Sequence, residues 1–262
     1  MSRLVYGVHP VEELLRSRGA EVSLIYLVTG DGGPAVRAVG EAARKARVMV
    51  ETLPRAELDR LAGGGVHQGV AAVAGDFRYR EAGELLDEVL GRSEEPLLLV
   101  LDSVQDPQNL GALARSAEVL GAHGIVLPRD RAVHVTPAVV KASAGATLHL
   151  PIALCTNLAR TLGEMKERGL WIAGTFVAAA NEAGGAREGG GARAPWDLDL
   201  SGPLAIVLGA EGTGLRPIVQ KACDLAVEIP MRGAVSSLNV SAAGAIVLYE
   251  AVRQRRARER EA

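Results

Sequence analysis

Short apolar runs alternate with segments of helical periodicity along almost the whole chain, and that alternation points to the α/β class. From residue 97 the order reads strand Leu97–Leu101, helix Asn109–Leu120, strand Gly124–Leu127, helix Pro137–Ala142, strand Leu148–Ile152, helix Leu158–Arg168 and strand Trp171–Thr175. Strands resume at Leu204–Leu208 and Leu225–Ile229, and a last helix runs from about Asn239 into the mixed-charge end Arg253–Glu261. Strand and helix in regular succession imply crossover connections, so the sheet is expected to be mostly parallel.

Residues 1–75 repeat the alternation on a smaller scale, as a compact βαβαβ unit. Strands are expected at Val22–Val28, Val48–Leu53 and Gly69–Val73, with helices at Pro10–Arg18 and Pro34–Ala46. Residues 76–95 hold seven acids against three arginines. Leu85, Leu86, Val89 and Leu90 keep helical spacing there, so this stretch is expected to be an acidic linker with one short helix. Gly184–Gly191 is a glycine-rich stretch that can pack no core and is expected to be a surface loop. The expected organisation is a small domain in 1–75, a linker in 76–95 and a larger domain in 96–262.

Composition removes several classes of function. The 262 residues are 48% hydrophobic and 23% charged, the balance of a globular protein. The longest aliphatic runs are far shorter than the roughly 18 to 20 residues that span a bilayer. The start Met1–Gly7 does not read as a secretory signal, so no membrane is implied and the cytoplasm is the expected address. Cys155 and Cys223 stand apart, and no His/Cys or carboxylate set falls at ligand spacing, so no metal is implied. A net charge of -2 argues against coating nucleic acid through bulk positive charge.

Three segments put polar residues just past strand ends, where open α/β sheets bind ligands. In Leu101–Ser116, Pro107 keeps Gln105–Gln108 out of the strand, Asn109 stands at a candidate helix N-cap and Arg115 lies inside the helix. In Ile206–Leu215, Gly209, Gly212 and Gly214 form a turn with a single carboxylate, Glu211. That turn lacks the Lys-Ser/Thr of a phosphate loop and the glycine spacing of a dinucleotide fingerprint. In Ile229–Ala243, Ser237 and Asn239 are candidate caps for the last helix. Taken singly, each of these residues has a structural explanation. A serine hydrolase is disfavoured: there is no Gly-x-Ser-x-Gly elbow and none of the five histidines stands in a triad context.

Taken together and in order, the three segments resemble the motifs of the SpoU family, RNA ribose 2′-O-methyltransferases of the SPOUT superfamily. The resemblance covers about Leu97 to Arg253. Tyr6–Glu12 and His67–Val70 likewise resemble the ends of the ribosomal-protein-like RNA-binding domain that precedes the catalytic domain in many members. The resemblance implies a trefoil-knotted methyltransferase domain in which S-adenosylmethionine lies bent in the knot. Gly209, Ile229 and Leu238 would hold it through backbone groups, with the turn after Thr175 nearby; a side chain at 209 is expected to obstruct the ligand.

Asn109, Arg115, Glu211, Ser237 and Asn239 match the family's catalytic positions. A guanidinium stays protonated in proteins, so Arg115 is expected to engage RNA phosphate or the developing oxyanion, with a relay through Ser237, and base catalysis is the alternative. Arg115, His9, Arg16 and His67 are the candidate RNA contacts. The resemblance also implies a homodimer, with the last helix as interface element. The two-domain layout and Ser236–Ser241 look most like members that methylate a guanosine ribose in the peptidyl-transferase region of 23S rRNA. Another rRNA or tRNA ribose, including the antibiotic-resistance type, and a non-catalytic ribosome-assembly factor are the alternatives.

Overall fold

The computed structural model describes residues 3–92, 95–176 and 191–261. They form two compact units, one of residues 1–78 with 134–149, the other of 79–133 with 150–262.

The first unit opens with β1 (Arg3–Tyr6), α1 (Val8–Arg18), β2 (Val22–Val28), α2 (Gly33–Lys45), β3 (Met49–Leu53), α3 (Arg55–Leu61) and β4 (Val70–Ala74). The sheet order is β1-β4-β2-β3; β2 and β3 run parallel, and β4 is antiparallel to β1 and β2. Val8, Val11, Leu14 and Leu15 recur at helical spacing on α1 and are all buried. β1 and α3 add to the expected elements; both are too short to carry a clear periodic signal.

The second unit begins earlier than expected. β5 (Arg80–Glu81) is the edge strand of the second sheet and pairs parallel with residues 153–154, and α4 (Ala82–Leu90) starts in a reciprocal capping box between Glu81 and Glu84. Leu85, Leu86 and Val89 are buried in this unit's core, so residues 80–90 are an integral part of it and the linker expectation is corrected. Of the acids that suggested a linker, Glu84, Asp87 and Glu88 sit on the outer side of α4. Glu88 pairs with Arg80 and Arg92, at 3.0 and 2.9 Å, and Asp87 pairs with Arg168.

Beyond α4 come β6 (Leu97–Leu101), α5 (Pro107–Val119) and β7 (Gly124–Pro128). α6 (Pro137–Ala142) then belongs to the first unit, where Val140 and Leu148 pack with Val11, Leu14 and Ile25. Residues 134–149 were expected in the larger domain, and the strand expected at Leu148–Ile152 is also corrected. Ala146–Leu148 is a 3-10 turn, and the strand β8 (Ile152–Cys155) starts only after Pro151. The chain returns with α7 (Leu158–Glu167), β9 (Trp171–Phe176), β10 (Leu204–Leu208), α8 (Pro217–Ala222), β11 (Leu225–Glu228) and α9 (Val240–Glu261). Apart from Gly191, the glycine-rich stretch lies outside the described residues.

The second sheet has the order β11-β9-β10-β6-β7-β8-β5, and every pairing in it is parallel. β6 and β10 are buried at every position, which accounts for their unbroken aliphatic runs. α9 lies close over α5 and β10 because Gly244 has no side chain: a Cβ there would stand 2.5 Å from Leu113 Cδ2 and 2.6 Å from Leu208 Cδ1. No described helix is long and apolar enough to cross a membrane.

Truncating the buried Leu85 to Ala should cost about 2–5 kcal/mol in chemical denaturation, the usual range for a core leucine. A segment acting only as a tether would leave the unfolding midpoint unchanged.

Candidate active site

β6, β9, β10 and β11 run parallel, so their C-terminal ends face one edge of the sheet. The C-terminal end of β9 and the segments leaving β10 and β11 there build an open cavity of about 70 Å³. Thr175, Gly209, Ile229 and Leu238 all line it, joined by Glu211 and Ser237. Val227, Met231 and Val240 contribute apolar wall. Thr175 donates its hydroxyl to the carbonyl of Val207 at 3.3 Å, which ties the end of β9 to β10.

The turn after β10 closes on itself. Ala210 N–H donates to Gly214 O at 3.1 Å and Gly214 N–H to Ala210 O at 2.9 Å, while Gly212 (φ 79°) and Gly214 (φ 67°) lie in the left-handed region. The same closure explains Gly209. A Cβ there would overlap Gly214 C and O and Leu215 N, so the glycine is required by the protein's own backbone. This corrects the expectation that the clash is with a ligand.

Three of the candidate catalytic residues meet. Asn109 is 5% exposed and sits one turn into α5; its side-chain amide donates to Glu211 Oε1 at 3.2 Å. Asn239 Nδ2 donates to Asn109 Oδ1 at 2.9 Å and also to Glu211 Oε1. Asn109 is therefore not the helix cap. Asp106 is, accepting from Gln108 N at 2.9 Å, because Pro107 fills the first helical position. Asn239 does cap its helix, its Oδ1 accepting from Ser241 N at 2.9 Å, and so holds α9 and Glu211 at once. Glu211 Oε2 has no partner among the described residues and can accept from a ligand.

Arg115 and Ser237 are not drawn into this cluster. Both are exposed, and neither has a hydrogen bond or ion pair among the described residues, so no relay between them is formed within this chain. In the first unit, His9 is 80% exposed beside Glu12, and Arg16 is exposed and hydrogen-bonded to Glu13. His67 is 2% exposed. Its Nδ1 accepts from Gly69 N at 3.0 Å and its Nε2 lies 2.9 Å from Asp59 Oδ1. Both ring nitrogens are engaged, so His67 secures its own turn and its assignment as an RNA contact is corrected.

One pair escaped the sequence reading: Asp102, fully buried after β6, and Arg216, which follows the glycine turn, joined at 2.6 Å. The available signal was a charged residue directly after five aliphatic ones.

A parallel α/β sheet with a glycine turn, a backbone-lined cavity and an Asn-Glu-Asn cluster at its C-terminal edge has the form of a small-molecule-dependent enzyme. The model of the SpoU rRNA Methylase family matches residues 96–249, and the model described as RNA 2'-O ribose methyltransferase substrate binding matches residues 4–80. The chain belongs to the SpoU rRNA methylase family.

Among its relatives, the 23S rRNA (guanosine-2'-O-)-methyltransferase RlmB of Pseudomonas syringae pv. tomato is 44% identical, covering 99% of this chain and all of that protein. The putative TrmH family tRNA/rRNA methyltransferase YacO of Bacillus subtilis is 39% identical over 96% of this chain and 95% of its own length. Among solved structures, the SpoU methyltransferase AviRb of Streptomyces viridochromogenes, in complex with the cofactor AdoMet, superposes with a TM-score of 0.76 at 27% identity. It covers 98% of this chain and 91% of AviRb.

Gly209→Ala is expected to lower the stability of the ligand-free protein by about 1–3 kcal/mol in denaturant titration, as overpacking does. An unchanged midpoint, with only ligand affinity lost, would restore the obstruction reading.

Proposed function

We propose that this chain transfers a methyl group from S-adenosylmethionine to the 2′-hydroxyl of a guanosine ribose in the peptidyl-transferase region of 23S rRNA, in the cytoplasm. The observation that carries the reading is the cavity walled by Gly209, Ile229 and Leu238, with Glu211 on its lining and joined to Asn109 and Asn239. The end-to-end likeness to the Pseudomonas guanosine-2'-O-methyltransferase supports the choice of target.

The residues present fit such a cofactor. Main-chain groups near Gly209, Ile229 and Leu238 suit the edge of a flat base, and Val227, Met231 and Leu238 suit its faces. The wall draws on the end of β9 and on the segments after β10 and β11, and a trefoil knot of this domain is part of the proposal. When bound, S-adenosylmethionine supplies an electrophilic methyl on a sulfonium.

This chain's residues then have distinct tasks. Asn109 and Asn239 fix one oxygen of Glu211 and leave the other directed to substrate or cofactor. Arg115, permanently charged and without an ion pair among the described residues, holds an RNA phosphate or the developing ribose oxyanion. Ser237 joins the proton path when RNA and a second subunit are in place. His9 and Arg16 contribute phosphate contacts from the first unit.

The second subunit is part of the proposal. Trp196, Ile246 and Tyr249 are exposed apolar side chains around one groove, on α9 and the approach to β10, and the exposed Val119 at the end of α5 lines a second groove with Tyr249; together they suit a second copy of the chain.

Mapping ribose methylation in rRNA from cells with and without the gene tests the target: one guanosine should lose its methyl group, and an unchanged rRNA map would redirect the search to tRNA. Arg115→Ala should lower methyl transfer by at least about 100-fold, the scale of a lost transition-state donor. Its cofactor affinity in calorimetry should stay near wild type, whereas a large loss of affinity would defeat the assignment. In sedimentation the chain should run as a dimer, and Tyr249→Asp should shift it to monomer.

A further inference from the structure

We propose that the buried Asp102–Arg216 pair is the positioning unit that sets Glu211 for methyl transfer; this rests on the methyltransferase reading above. Asp102 is 0% exposed and neither lines the cavity nor touches Asn109 or Glu211. It acts through the chain on both sides of the glycine turn. Its N–H donates to Leu208 O at 2.7 Å, at the residue that leads into Gly209. Its carboxylate accepts from Arg216 N at 2.9 Å and Arg216 Nε at 2.6 Å, just past the end of the turn. Ser103 donates its hydroxyl to the same carboxylate at 3.3 Å.

One residue therefore grips the entry and the exit of the segment that carries Glu211. Ser103 holds φ at 66°, a left-handed conformation uncommon for a non-glycine residue, and from there the chain enters the helix bearing Asn109. Asp102 thus links the two segments whose side chains meet at 3.2 Å in the Asn109–Glu211 hydrogen bond.

The chemistry of the pair is demanding. A carboxylate has two acceptor oxygens for the two N–H groups of Arg216, whereas an asparagine offers one oxygen and turns donors toward the other. The partner must also stay, because a fully buried charge without one is strongly disfavoured. The Arg216 side chain is about one-third exposed, so Arg216 tolerates replacement better than Asp102 does.

The test is a double-mutant cycle read by single-turnover methyl transfer from labelled S-adenosylmethionine to 23S rRNA, at saturating cofactor and RNA. Asp102→Asn should slow transfer on the order of 100-fold, the cost of misplacing a reacting group by about 1 Å. Glu211→Gln should slow it as well, and the double variant should be no slower than the slower single variant. Arg216→Met should repeat the loss and Arg216→Lys should recover part of it.

If Asp102→Asn does not fold, as judged by thermal unfolding, Arg216→Met takes its place in the cycle. Losses that multiply, a folded Asp102→Asn at wild-type rate, or Glu211→Gln at wild-type rate each overturn the proposal. Wild-type protein that transfers no methyl to any RNA overturns the methyltransferase reading instead.

Discussion

Parallel pairing of β10 with β6 on one side and β9 on the other is the constraint on which the rest of the second unit depends. Leu208 stands beside Leu101 and Val207 beside Gly174, so the chain leaves all three strands at the same level. Asp102 and Gly209 follow at once, and Thr175 stands at the end of β9. In an antiparallel sheet neighbouring strands would end at opposite edges, and the ends of β9 and β10 could not share a cavity. Parallel pairing also needs helices on both faces, hence two fully buried central strands with no polar side chain.

The second requirement is close approach. The last helix reaches α5 and β10 only because Gly244 leaves room for Leu113 and Leu208, and this brings Asn239 to Asn109. Asn239 then serves twice, its carbonyl oxygen capping the helix and its amide holding Glu211. A cap residue has one side of its amide free, and here that side is put to use. Each member of the cluster is hydrogen-bonded to the other two. Arg115 differs in kind: a permanently charged side chain left in solvent suits a partner that arrives from outside.

The domain division shows how charge and pattern can mislead together. Residues 80–90 looked like a linker because of their acids, yet the apolar face of α4 is part of a core and the acids pair with arginines at its surface. Residues 134–149 looked like one more turn of the α/β alternation, yet Val140 and Leu148 complete the core of the first unit. Sequence order and spatial membership separate here, because a hydrophobic face records that it is buried and not against what.

By itself the sequence determined the class of fold and the order of nearly all the strands and helices, because apolar runs and glycine turns are local signals; the candidate cofactor residues came from the family resemblance of the three segments. Thr175, Gly209, Ile229 and Leu238 line one cavity, and Asn109, Glu211 and Asn239 meet. Only the tertiary structure decided that Asp106 and not Asn109 caps α5, that His67 is sealed in its turn, that Gly209 answers to Gly214, and that Asp102 pairs with Arg216. The physical reason is common to all four. Each depends on which group from a distant stretch of chain arrives within hydrogen-bonding or van der Waals range, and local periodicity carries no information about that partner.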